Sequence, residues 1–79
     1  MTDNEILVEL KAIFKSVFNR EIELTFETSA KDVKGWDSLM HIALIGAVED
    51  RFKMKFKMKE VLSMQNIHDM IVIIQKGIK

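Results

Sequence analysis

Cysteine is absent from the chain. That excludes disulfides, iron–sulfur clusters, thiolate zinc sites and a cysteine nucleophile. Proline is also absent and only three glycines occur, so little in the sequence interrupts helices. The aromatics are five Phe and one Trp, with no Tyr. The core must therefore be mostly aliphatic, and six Met suit an adaptable interior or contact surface. Neither sign of charge dominates: twelve basic and twelve acidic residues cancel, which argues against nucleic-acid binding driven by net charge. The longest apolar run, Ile42 to Val48, is far too short to span a bilayer. Asp3, Glu5 and Glu9 sit inside a helical pattern near the start, where a signal peptide would place a basic segment and an apolar run. No membrane insertion is expected, and a cytoplasmic location is.

What is present is a chain of 79 residues, 48% of them apolar. That describes one small folded domain over residues 1–79 whose stability is only a few kcal/mol. Ile6, Leu7, Leu10, Ile13, Phe14, Val17 and Phe18 recur at three- and four-residue spacing and predict a helix over 3–18. Thr2 and Glu5 read as a capping box, and Lys15 and Arg20 suit the far end. Residues 19–36 read as a long loop pinned to the core by Ile22, Leu24 and Phe26, with a short turn of helix after Thr28-Ser29. The stretch 21–26 alternates like a strand, and so does Phe52 to Lys59, so a hairpin is the competing arrangement. The second segment is taken as an extended connector into a short helix near 58–62. Asn66 caps a last helix whose stripe is Ile67, Met70, Ile71, Ile74 and Ile78, with Lys76 and Lys79 at its end.

Between these lies the stretch with chemical content. Asp37-Ser38-Leu39 opens a helix running from Ser38 to Phe52. A serine in the first helical turn sits among backbone amides without intrahelical partners. Those amides and the positive end of the helix dipole favour a phosphate. A chain without cysteine gains a working thiol there only by attachment of a phosphate-linked arm. On this helix Leu44, Ile45, Val48 and Phe52 share the core face, while Leu39, Ile42, Ala43 and Gly46 gather elsewhere and suit partner docking.

Gly35-Trp36-Asp37-Ser38-Leu39, the helix ending Glu49-Asp50-Arg51-Phe52, the connector Lys55 to Val61 and the segment Asn66 to Ile71 together resemble the acyl carrier protein family. The resemblance covers essentially the whole chain. It implies an all-α, four-helix bundle: three longer helices, a short third one, and a long loop between helices one and two. It implies that Ser38, with Asp37 as its motif neighbour, carries 4′-phosphopantetheine covalently. A phosphopantetheinyl transferase would supply the arm from coenzyme A with Mg²⁺, and acyl-activating and acyl-transfer enzymes would be the other partners. The carrier itself is no enzyme and is expected to be a monomer. Partner contacts are expected at Leu39, Ile42, Gly46, Glu49 and Asp50. Many relatives line this second helix with carboxylates. Here only Asp37, Glu49 and Asp50 stand on it, and Lys53 to Lys59 is basic, which departs from docking by acidic steering.

A lone serine at a helix start is ordinarily a cap, and an unmodified helical interaction module is the reading from another class. Within carrier function the expected cargo is a fatty or polyketide acyl group, because the last helix and the Met-rich interior are apolar enough to shelter a chain, with an aminoacyl group as the alternative; the Gly35-Trp36-Asp37-Ser38-Leu39 form resembles carriers of specialised pathways more than a housekeeping fatty-acid carrier. Trp36 is expected to anchor its loop. His41 and His68 have no neighbours at metal-ligand spacing and are expected to be structural, with no metal bound.

Overall fold

A computed structural model describes residues 1–78. Its elements are α1 (Asp3–Phe18), a 3-10 turn (Ala30–Asp32), α2 (Ser38–Phe52), α3 (Met58–Ser63) and α4 (Ile67–Gly77). The fold is an all-helical bundle, and no strand occurs among the described residues. Lys79 lies outside them.

Each helix begins and ends for a local reason. Thr2 Oγ1 accepts from the Glu5 amide at 3.1 Å, and the Glu5 carboxylate accepts from the Thr2 amide at 2.7 Å, which satisfies two free donors at the start of α1. Asn19, at φ 58°, ends α1 in the left-handed conformation. Asp37 caps α2, accepting from the Met40 amide at 2.9 Å, and Asn66 caps α4, accepting from the Asp69 amide at 2.9 Å.

The core is aliphatic with one phenylalanine at its centre. Ile6, Leu10, Phe14, Leu44, Ile67 and Ile74 are fully buried. α1 packs most extensively on α2 and also on α4. Of the six methionines only Met54 and Met70 are buried, while Met58 is 68% exposed. The interior is thus Leu/Ile-based more than Met-based.

The long loop is held at both levels. Ile22, Leu24 and Val33 are buried and Phe26 packs against the core. Thr28, the one buried polar side chain among the described residues, receives the Thr25 amide at 2.9 Å. The carbonyls of Thr28 and Phe26 then accept from the amides of Ile67 and His68, both at 2.9 Å. The loop therefore supplies partners for the first turn of α4, whose amides have none within the helix. The alternating stretch after α2 pairs with no strand. Phe52 and Met54 are buried and Phe56 half-buried, while Lys53, Lys55 and Lys57 face solvent. The period of two reflects an extended chain lying along the bundle.

Candidate functional site

The site grows out of the turn that precedes α2. The Trp36 amide donates to the Val33 carbonyl at 3.2 Å, across a turn in which Gly35 adopts φ +89°. A positive φ at the third residue of such a turn is the position that glycine fills without strain. The bend sends Trp36 back onto α1, where its indole meets the Phe14 ring edge-on with centroids 5.1 Å apart. On its other side the indole Nε1 donates to His41 Nδ1 at 3.2 Å.

That bond fixes the histidine. Indole nitrogen only donates, so His41 Nδ1 is the acceptor and Nε2 carries the proton. Nε2 lies 3.1 Å from the Val61 carbonyl oxygen and donates to it. His41 thus ties the loop before α2 to α3 from the first turns of α2. The link that His41 makes through these two contacts was not legible in the sequence. No cluster of three or more metal-ligating side chains exists among the described residues.

Asp37 and Ser38 are both exposed. The Asp37 carboxylate is engaged by the Met40 amide and its carbonyl accepts from the His41 amide at 2.8 Å. Among the described residues the amides of Ser38 and Leu39 have no partner within the chain. The Ser38 hydroxyl is therefore reachable from solvent beside two free N–H groups at the positive end of a fifteen-residue helix, a setting that fits a phosphodiester.

Beyond Ser38 the outward face of α2 is apolar. Leu39 is 78% exposed and Ile42 58% exposed, and Ala43, Gly46 and Asp50 are exposed beside them. A Cβ placed on Gly46 would meet nothing within 4 Å. On α3, Leu62 is 76% exposed. Glu49 stands apart from the other residues expected to contact partners. Its side chain is only 18% exposed, and its carboxylate accepts from the Phe56 amide at 2.9 Å. It braces the connector because the chain doubles back there after Lys53.

A small recess of about 30 Å³ lies among Ala30, Trp36, Met64, Asn66 and Met70. The larger clefts, about 490 and 600 Å³, run along the α1–α2 loop, and neither is lined by Ser38.

Comparison with known proteins gives a consistent picture. A family model described as the phosphopantetheine attachment site matches residues 8–72. The chain is 29% identical over 76 residues to an acyl carrier protein of Exiguobacterium sibiricum, covering 95% of this chain and 96% of that protein. Its fold is similar to the solution structure of holo acyl carrier protein from Geobacter metallireducens, with a TM-score of 0.84 and 40% identity over 90% of this chain and 83% of that one.

Proposed function

The chain belongs to the acyl carrier protein family, whose members are carriers of covalent 4′-phosphopantetheine and not catalysts, and from that premise we propose that Ser38 is the attachment residue. The observation that carries the assignment is an exposed serine in the first turn of α2, with unpaired amides at its own position and the next among the described residues. In the loading step the Ser38 oxygen attacks the phosphorus of the coenzyme A pyrophosphate. A P–O bond forms, the pyrophosphate P–O bond breaks, adenosine bisphosphate departs, and the hydroxyl proton passes to a base of the transferase. Asp37 fixes the backbone around the nucleophile and keeps a carboxylate beside it for the transferase's Mg²⁺.

The attached arm supplies a terminal thiol that holds acyl groups as thioesters, electrophilic at the carbonyl and ready for transfer. This chain's contribution is presentation. Gly35 and Trp36 fix the turn, Asp37 starts the helix, and Leu39, Ile42, Gly46 and Asp50 offer a docking face to the acyl-activating and acyl-transfer enzymes that load and unload the thiol. The small recess beside Trp36 favours cargo that travels outside the bundle as it stands. Residues 1–79 act as one carrier domain, monomeric and cytoplasmic, in acyl rather than aminoacyl transfer.

Incubation with coenzyme A, Mg²⁺ and a broad-specificity phosphopantetheinyl transferase tests the assignment by intact-protein mass. One phosphopantetheine should be added to the wild type and none to Ser38→Ala. Addition to Ser38→Ala, or none to the folded wild type, overturns it.

A further inference from the structure

His41 uses both ring nitrogens, and it spends them on two different elements. Nδ1 accepts from the indole Nε1 of Trp36 at 3.2 Å, and Nε2 donates to the Val61 carbonyl at 3.1 Å. Trp36 belongs to the turn that leads into Ser38, and Val61 to the six-residue α3. Histidine is the side chain that ordinarily changes charge between about pH 5 and pH 8. A proton added to Nδ1 turns an acceptor into a donor and sets it against the indole N–H, which can only donate. The two rings are inclined by 32° with centroids 5.9 Å apart, and the bond joins them at their edges. The imidazolium would therefore meet the positive edge of the indole and not its face, so no cation–π attraction offsets the loss. The bond to Val61 responds the other way, because an N–H on a charged ring donates more strongly. No charged side chain is bonded to His41 among the described residues. On the elements that meet it, the Asp37 carboxylate is engaged by the Met40 amide and that of Glu60 by the Lys57 amide, and Lys34, Lys57 and Lys59 are exposed.

We propose that His41 is a proton-operated latch on the turn that presents Ser38. Neutral, it joins that turn to α3; protonated, it releases Trp36 and keeps Val61. Trp36 retains its edge-on contact with Phe14 at 5.1 Å, so acidification frees the α2 side of the turn while the bundle stays folded. Asp37 and Ser38 follow directly on Trp36, and a freed turn presents the serine less firmly to the transferase. That consequence for loading rests on the carrier reading above, whereas the latch itself rests on the two hydrogen bonds of the imidazole.

Trp36 is the only tryptophan, and His68, exposed on α4, is the only other histidine, so NMR reads both partners singly. The unloaded full chain is taken from about pH 8 to about pH 5. Protection of the Trp36 indole proton against exchange should fall about ten-fold, the scale of one lost hydrogen bond. The fall should track the His41 ring signals while the amides of α3 keep their protection. His41→Asn offers an amide oxygen in place of Nδ1 and takes up no proton, so its indole protection should be the same at both ends of the range. His68→Gln should behave as the wild type. Loading of Ser38 is followed over the same range as the ratio of wild-type to His41→Asn rates, which cancels the transferase's own response to pH. That ratio should fall several-fold towards acid. A His41 ring that stays neutral throughout, indole protection that does not follow it, simultaneous loss of protection in α3, or an equal loss in His41→Asn overturns the proposal. So does a flat loading ratio. Absence of loading at every pH is a separate result: it defeats the carrier reading, while the exchange data still decide the latch.

Discussion

Replacing Gly46 with alanine should make this protein more stable. The residue lies in the interior of α2, where glycine costs roughly 0.8–1.0 kcal/mol relative to alanine because it surrenders the most backbone freedom on folding. The cost is usually tolerated where a side chain would collide. Here the added Cβ meets nothing within 4 Å, the position is exposed, and nothing in the fold requires glycine. Gly46→Ala should therefore gain about 0.5–1 kcal/mol. For a domain of this size that raises the melting midpoint by roughly 2–8 °C, read by circular dichroism at 222 nm. Gly77 serves as the contrast, since a Cβ there would lie 2.6 Å from Met54 Cε and 3.2 Å from Met54 Cβ. Gly77→Ala should leave the midpoint unchanged or lower it. An unchanged or lowered midpoint for Gly46→Ala would refute the reasoning. If Gly46 is a gap that admits a partner's side chain, Gly46→Leu should slow acyl transfer by partner enzymes while the fold persists.

Gly35→Ala should destabilise by roughly 1–2 kcal/mol, because φ +89° is strained for any residue with a Cβ; an unaltered urea midpoint would count against the turn geometry. His41→Phe loses the bonds to Trp36 Nε1 and the Val61 carbonyl and should cost about 1–3 kcal/mol, with a blue or red shift in Trp36 fluorescence; identical stability and emission would disprove the link. The Ser29 amide and, second, its hydroxyl hold the Asp32 carboxyl below its ordinary value of 3.8. A depressed carboxyl stabilises the fold above the unfolded value and loses that contribution as pH falls through the folded one. In an NMR titration Ser29→Ala should raise the Asp32 midpoint only part of the way to 3.8, and a full return would make the hydroxyl the main cause.

Helices were legible where amphipathic spacing and a cap coincide. Thr2 with Glu5, and Asn66 with its following stripe, mark α1 and α4 at the positions observed. The short third helix lies at Met58–Ser63, one residue beyond the expected end. Residues 21–26 and 52–59 show why alternation is ambiguous. A chain running extended over a core buries every second residue whether or not it pairs with another strand, so the pattern reports burial and leaves hydrogen bonding open. Ser38 stood out through its motif and its place at a helix start. Glu49 did not reveal itself as a brace, because its partner is a backbone amide seven residues on and no side-chain pattern encodes that. The His41 link was hidden for the same reason: one of its two partners is the Val61 carbonyl, twenty residues away.

The bonds from Ile67 and His68 to the carbonyls of Thr28 and Phe26 give the loop a second office. Those two amides can trade hydrogen for deuterium only when the loop lifts away, so their exchange rates report its opening while amides deeper in α4 report the bundle as a whole. A contact that changes the loop would be visible in the exchange of Ile67 and His68 even where no atom of the fourth helix is touched.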